Sequence, residues 1–151
     1  MTNRGKLIPL ALLAAGAPFV MAAGPGRPMQ ENFRLISVAG KDLPVVIEQE
    51  GDCREELQSA MLTLATDGKW TLVSKEKEIC GTKQKDEEER DNGTYKATGE
   101  TLQFFDKDGK PLVADEKDGD LDVAELREGT RAADGFTVRL ADGKTDLVFR
   151  K

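Results

Sequence analysis

Short stretches of alternating apolar and polar residues recur along the chain, and turn signals separate them. Asp-Gly or Asn-Gly pairs stand at Asp67-Gly68, Asn92-Gly93, Asp108-Gly109, Asp118-Gly119, Asp134-Gly135 and Asp142-Gly143. Both residues of such a pair tolerate the positive φ that tight hairpin turns require. Alternation with a period of two places every second side chain on one face of a strand. The pattern therefore predicts an all-β, antiparallel chain.

The alternating stretches define eight or nine predicted strands. They are Phe33–Val38, Pro44–Glu48, Ser59–Leu64, Trp70–Ser74, Gly93–Ala97, Thr101–Phe105, Leu121–Leu126, Phe136–Leu140 and Leu147–Arg150. The period places Leu102 and Phe104 on one face of their strand. It does the same for Phe136, Val138 and Leu140, and for Leu147 and Phe149.

Two polar segments between these strands are predicted to be something else. Asp52–Gln58 has fair helix propensity, so we expect one or two helical turns there. Lys83–Asn92 is almost continuously charged, and we expect it to be an exposed hairpin loop.

A near-continuous run of hairpins favours an eight-stranded up-and-down β-barrel. In that fold each strand pairs with its neighbour in sequence, and closure removes the exposed edges of the sheet. A β-sandwich also contains many short antiparallel strands, so it stays open as the rival fold.

The first 22 residues follow a different pattern. Arg4 and Lys6 precede an apolar run that begins at Leu7, and the run ends at the small residues Ala22-Ala23. This order is typical of a secretory signal peptide. We predict cleavage near Ala22 or Ala23, a flexible linker over 23–31 and one barrel domain over 32–151.

The apolar run is a poor transmembrane helix because it is short and contains Pro9, Gly16 and Pro18. No cysteine lies near the predicted cleavage site to carry a lipid anchor. We therefore expect the mature chain to be periplasmic or secreted, with no membrane span, and to be a monomer.

Both cysteines, Cys53 and Cys80, lie in the predicted mature chain. In an oxidising compartment such a pair normally forms a disulfide bond. A redox-active or metal-binding pair is disfavoured, since the chain has neither a Cys-x-x-Cys motif nor a histidine. We predict a structural disulfide.

Composition excludes several classes of function. The 151 residues include 28 Asp and Glu, 22 Lys and Arg and no histidine, for a net charge of −6. Without an imidazole the chain has no Ser–His–Asp or Cys–His catalytic set and no histidine-ligated metal site. A net negative charge repels nucleic-acid phosphates. We predict a protein without enzymatic activity, cofactor or nucleic-acid partner.

One acidic segment partly matches a calcium-binding loop. Asp118, Asp120 and Asp122 have the spacing of its first three ligands. The match then fails, because Val123 occupies the glycine position and Gly129 occupies the glutamate position. We interpret the segment as a solvated turn and predict no metal site.

Several strings resemble bacterial secreted lipocalin-like, or calycin-like, proteins. Phe33 to Pro44 is similar to their opening strand and turn, and Met61 to Leu72 is similar to an L-T-L-x-x-D-G-x-aromatic hairpin. Gly93-Thr94-Tyr95 followed by Leu102, and the closing Leu147 to Lys151, resemble further strands. The resemblance covers most of the predicted mature chain and implies a small barrel, without implying a ligand.

An eight-stranded barrel either fills its interior with side chains or holds one small ligand. We expect a non-enzymatic module that binds a small apolar or amphipathic ligand, with Trp70, Tyr95, Phe104 and Phe136 lining the site. Trp70 and Tyr95 are the leading candidates because each has a polar tip that can orient a ligand. The alternative is a protein-interaction role, such as inhibition of a periplasmic or secreted hydrolase by docking of the acidic loops.

Overall fold

The computed structural model describes residues 28–114 and 120–151, so the predicted signal peptide and Asp118 lie outside the described residues. The described chain forms ten strands: β1 (Gln30–Val38), β2 (Lys41–Asp42), β3 (Val45–Glu50), β4 (Cys53–Ala65), β5 (Lys69–Cys80), β6 (Lys83–Thr98), β7 (Thr101–Phe105), β8 (Leu126–Ala132), β9 (Gly135–Leu140) and β10 (Asp146–Arg150). Within these two ranges no helix has the length and apolar character needed to cross a membrane.

Eight of the strands close into an antiparallel barrel. Strands β4 to β10 pair with their neighbours in sequence, β10 pairs with β1, and β1 pairs with β4 to complete the ring. The closing contact runs from Gln30 opposite Ala65 to Arg34 opposite Met61. The predicted eight-stranded up-and-down barrel is confirmed, and the sandwich is excluded.

The barrel interior is filled by apolar side chains. The largest fully buried ones are Trp70, Phe33, Phe136, Phe149, Leu35, Leu57, Leu62, Leu72, Leu102, Leu126, Leu140 and Leu147. The faces predicted for β7, β9 and β10 are confirmed, since every apolar residue assigned to them is buried. Burial of this set supplies the main stabilisation of the fold.

Three strands continue past the barrel and form a separate arm. β4, β5 and β6 have 13, 12 and 16 residues, whereas β7 has 5. We define the arm as β3 together with Cys53–Glu56, Lys75–Cys80 and Lys83–Asn92. At its tip Cys53 lies directly opposite Cys80, and the two form a disulfide. The predicted disulfide is therefore confirmed.

Two polar segments that we predicted to be helical turns or loop are strands of this arm. Asp52–Gln58 was expected to be helical, yet β4 begins at Cys53 and pairs with β3 and β5. Lys83–Asn92 was expected to be a loop, yet it pairs with β5 along its whole length. Strand neighbours on both sides of β4 outweigh a weak local helix propensity, because propensity yields to tertiary context.

Leu121–Leu126 was predicted to be a strand, and this prediction is wrong. Only Leu126 belongs to one, at the start of β8. Residues 121–125 instead form a turn whose alternating apolar side chains pack against the end of the barrel. Strand β8 itself was missed because Leu126 and Gly129 are its only buried residues.

Candidate functional site: an acidic mouth at one end of the barrel

Trp70 and Phe104, two of the predicted ligand-binding residues, are structural members of the core. Trp70 is 1% exposed, and its Nε1 donates a hydrogen bond of 2.9 Å to the carbonyl of Phe105. Its ring meets Phe104 edge to face, with 6.3 Å between centroids. Gly93 lies beneath the indole, where an added Cβ would sit 2.6 Å from Nε1. The polar tip of Trp70 is therefore engaged within the protein.

Tyr95 and Phe136 also make internal contacts. The hydroxyl of Tyr95 donates a hydrogen bond of 2.7 Å to the carbonyl of Ala65, and burial raises the pKa of this phenol. Phe136 packs on Phe33 and Phe149, with ring centroids 4.6 Å and 5.4 Å away. The structure thus brings Trp70 together with Phe104, and places Phe136 in a second aromatic group.

Residues 28–114 and 120–151 form at least four clefts, and none of these four has Trp70, Tyr95, Phe104 or Phe136 in its lining. Ligand binding by these four residues stays a prediction. One cleft lies beside Arg127 and Arg139, and another beside Lys75 and Lys77 also has Glu76 and Glu87 in its lining. The other two adjoin each other on the inner face of the arm and share Glu48, Glu55 and Glu87.

The cleft nearer the barrel, which we call the acidic mouth, has a volume of about 370 Å³. Its lining combines eight carboxylates with three apolar side chains: Glu48, Glu55, Glu76, Glu87, Glu89, Asp120, Asp122 and Glu125, with Ile47, Leu121 and Val123. No lysine or arginine is in that lining set. The lining of the acidic mouth is therefore negatively charged and includes an apolar section.

The period of the strands explains why these acids point inward. On β5, Leu72, Ser74 and Glu76 alternate on one face, and all three are buried. On β6, Glu89 and Asp91 precede the buried Gly93 at the same spacing, and Glu55 stands two residues before the buried Leu57 on β4. The inner face therefore changes from apolar to acidic as the strands leave the barrel.

The two faces of the arm have opposite charge patterns. On the outer face, basic and acidic residues lie opposite each other, as in Glu56 with Lys77, Lys77 with Asp86, and Lys75 with Glu88. On the inner face, like charges lie opposite each other, as in Glu48 with Glu55, Glu55 with Glu78, and Glu76 with Glu87. Like charges directly across a strand pair are destabilising, so the inner face stores an unfavourable electrostatic energy.

Glu76 lies at the centre of this arrangement. It is 7% exposed, and the hydroxyl of Ser74 donates a hydrogen bond of 3.1 Å to its Oε1. The pKa of Glu76 is raised to about 7, chiefly by burial. A hydrogen bond with Glu55 also contributes to the rise, and it outweighs the lowering effect of the Ser74 contact. Two carboxyl groups can share a hydrogen bond only if one of them holds a proton. Glu76 therefore retains a proton until close to neutral pH.

The pKa values of neighbouring carboxyl groups are raised as well. The charge of Asp120 raises the pKa of Glu48, with smaller contributions from burial and from Glu55. Burial raises the pKa of Glu89 and of Asp91, and in both the charge of Asp122 adds to the effect. On the outer face the reverse holds, because a hydrogen bond from Arg54 lowers the pKa of Glu56.

A cation, Lys85, lies close to the mouth on its tip side. Lys85 makes an ion pair with Glu87, and that contact raises the pKa of the Lys85 ammonium. Lys85 offsets the charge of Glu87 and lies opposite Glu78 on β5. The charges that raise the pKa values of Glu48, Glu76, Glu89 and Asp91 are those of other acids.

Residues 120–125, which we call the strap, cross the acidic mouth. The amide of Leu121 donates a hydrogen bond of 3.0 Å to the carbonyl of Ile47 on β3, and Val123 is buried in the core. The amide of Ala124 donates to Oδ1 of Asp122 at 2.8 Å, which fixes the turn. The strap thus joins the wall of the cleft to the end of the barrel.

Asp120 and Asp122, two of the three carboxylates with calcium-loop spacing, line the acidic mouth, and Oδ1 of Asp122 accepts the Ala124 amide. Cys53, Cys80 and Glu78 bring their ligand atoms within 4.8 Å of one another. Their sulfurs are joined in the disulfide, so neither is a thiolate that can bind a metal.

Sequence reasoning did not identify the acidic mouth, although a signal was present. The string Lys75-Glu76-Lys77-Glu78 alternates charge with the period of a strand, which assigns lysines to one face and glutamates to the other. No family model, curated protein or solved structure matches this chain at a significant level. The case for a function therefore depends on the geometry of the mouth.

Proposed function

We propose that this protein is an exported, non-enzymatic binding module of the lipocalin-like barrel type, and that it holds a small amphipathic cation in the acidic mouth. The observation that carries the proposal is the difference between the two faces of the arm. Acids on the outer face are matched by lysines, whereas three pairs on the inner face set acid against acid: Glu48 with Glu55, Glu55 with Glu78, and Glu76 with Glu87. A bound cation removes the repulsion that this inner arrangement creates.

The shape of the cleft supports a ligand with an apolar portion. Ile47, Leu121 and Val123 provide apolar surface beside the carboxylates. A molecule with a protonated amine and a short alkyl or aryl group would place its charge against Glu55 and Glu89 and its apolar group against these side chains. The barrel core is an unfavourable site for the same molecule because large side chains already occupy it.

Export is supported by the disulfide between Cys53 and Cys80. Disulfides form and persist in oxidising compartments such as the periplasm and the extracellular medium. The basic and apolar residues at the start of the chain are the expected leader for that route.

The test is a calorimetric titration of the purified protein at pH 7.5 and low ionic strength, with n-octylammonium chloride and 1-octanol as probes. We expect the ammonium to bind and the alcohol of equal chain length to show no saturable binding. Affinity for the ammonium should fall about tenfold or more in the double variant Glu55→Gln/Glu89→Gln, because two charges that contact the ligand are lost.

Glu88→Gln is the matched control for this titration. Glu88 is a neighbour of Glu89 in sequence but lies on the outer face, opposite Lys75. We expect its affinity to match that of the unaltered protein. Equal binding of the two probes, or equal loss of affinity in the control and the double variant, would contradict the proposal.

A protein partner is the second candidate, and one observation favours it. Lys83–Asn92 pairs with β5 on one side, and β6 pairs with β7 at Thr94–Thr98, so among the described residues this stretch of β6 presents a sheet edge. A basic segment of a partner could add to such an edge. Capture of a partner from periplasmic extract at low salt, abolished by excess n-octylammonium chloride, would place that contact at the acidic mouth.

A further inference from the structure

The strap is held over the acidic mouth by hydrogen bonds and by apolar packing against the core. A backbone hydrogen bond from Leu121 to Ile47 joins it to β3. Val123 is buried in the core, and the partly exposed Leu121 and Ala124 pack against it. At its end the carbonyl of Glu125 accepts the amide of Ala141, which anchors the strap to the barrel. Within the described residues, the Leu121 hydrogen bond therefore reports whether the strap is attached to β3.

The charges that face the strap oppose this attachment. The charge of Asp120 is the main cause of the raised pKa of Glu48 on β3. The charge of Asp122 contributes to the raised pKa values of Glu89 and Asp91 on β6. The groups that face the strap across the mouth, taken from all four strands of the arm, are Glu48, Glu55, Glu76, Glu87, Glu89 and Asp91, with Lys85 paired to Glu87 at the tip side.

We propose that the strap is a pH-responsive cover of the acidic mouth, which is closed when the facing carboxyl groups hold protons and loosens as they ionise. Its role in ligand exchange rests on the proposed function, whereas the motion itself needs no ligand. At lower pH the hydrogen bond from Leu121 to Ile47 and the burial of Val123 dominate. At higher pH the repulsion of Asp120 and Asp122 by β3 and β6 weakens the closed state.

The direction follows from proton linkage. Burial and neighbouring acids raise the pKa of Glu76 to about 7 from an ordinary value of 4.5. An open mouth admits water and lowers these pKa values toward the ordinary range. The closed state therefore binds more protons than the open state between pH 4.5 and about 7, and closing becomes less favourable as pH rises through that window.

Amide hydrogen exchange of the full chain without ligand tests the proposal, with the Leu121 amide as reporter. After correction for the intrinsic pH dependence of exchange, we expect its protection to fall about three- to tenfold per pH unit from pH 5 to 7, and to level off above that. The amide of Tyr95, which donates to the carbonyl of Gly68 away from the strap, is the internal reference and should keep constant protection.

Two variants sharpen the measurement. Asp122→Asn keeps an Oδ1 that accepts the Ala124 amide but removes the charge that faces β6. Glu76→Gln removes the group that titrates nearest neutral pH. Each should reduce the pH slope of Leu121 protection, whereas Glu88→Gln should leave the slope unchanged.

Protection of Leu121 that is independent of pH, or a slope that persists in full in both variants, would overturn the strap proposal. Because the experiment uses no ligand, that result leaves the binding proposal intact. Conversely, a pH-dependent strap in a protein that binds no n-octylammonium would overturn the binding proposal alone.

Discussion

The two ends of β4, β5 and β6 have the same backbone architecture and opposite side-chain chemistry. In the barrel, their inward positions hold Leu62, Leu72 and Trp70, which are almost fully buried. In the arm, the same face holds Glu55, Glu76 and Glu89, which lie close to other acids. The strand period decides which residues point inward, and the identity of those residues decides whether the region stabilises the fold or remains open.

Under the proposed function, this difference separates stability from ligand binding along single strands. The barrel gains stability from every inward side chain, while the mouth retains like charges that weaken it. Natural proteins depart from locally favourable sequences chiefly at functional sites. The inner face of the arm is such a departure, because the outer face of the same strands has complementary charges.

The largest effect is expected from a cavity in the barrel. Phe136→Ala removes a fully buried ring that contacts Phe33 and Phe149. The free energy of unfolding should fall by about 3–5 kcal/mol, measured by urea denaturation. Val113→Ala, at a side chain that is 80% exposed, should change it by less than about 0.5 kcal/mol. Equal effects of the two would contradict the assignment of stability to the barrel.

Removal of the disulfide should have the next largest effect. Cys53→Ala/Cys80→Ala opens a loop with a sequence separation of 27. The unfolding free energy should fall by about 3.5 kcal/mol in the chain-entropy model, and the arm amides should lose more protection from hydrogen exchange than the barrel amides. If barrel and arm lose protection equally, the two regions are a single cooperative unit and the comparison fails.

A smaller effect is expected from the hydroxyl of Tyr95. Tyr95→Phe keeps the ring but leaves the carbonyl of Ala65 without its side-chain donor. We expect a loss of about 1 kcal/mol in urea denaturation, with no change in affinity for n-octylammonium. A large loss of affinity with unaltered stability would instead assign Tyr95 to the ligand site, as its polar tip led us to predict.

An effect of similar size but opposite sign is expected from Glu76→Gln. The raised pKa of Glu76 means that its ionised form destabilises the folded state. That destabilisation is absent below pH 4.5, grows as pH rises and is complete above about pH 7. The variant should match the original protein at pH 4.5 and be more stable by about 1 kcal/mol at pH 8, a figure reduced because solvent in the mouth screens the charge. A variant that is less stable at pH 8 would contradict this account.

The barrel was predictable because its signals are local. Apolar alternation in Phe136–Leu140 and the turn at Asp67-Gly68 each identify a strand or hairpin without knowledge of the rest of the chain. The disulfide was equally accessible, since the chain contains only two cysteines.

The mouth was harder to predict because it depends on pairing. Lys83–Asn92 has no apolar alternation, and it forms a strand through its register with β5. The opposition of Glu76 and Glu87 becomes visible only when that register is known. Leu121 and Val123 were read as strand residues because packing against the end of a barrel produces the same alternation as a strand.

The most direct test is to map a bound cation by amide chemical shifts in ¹⁵N-labelled protein titrated with n-octylammonium chloride at pH 7.5. We predict that the shifted amides cluster around the acidic mouth, at Ile47, Glu55, Glu89 and Leu121, which line it. Amides around the filled core, at Leu102, Val138 and Phe149, should remain unshifted. Saturable shifts centred on the core, with none at the mouth, would contradict the account.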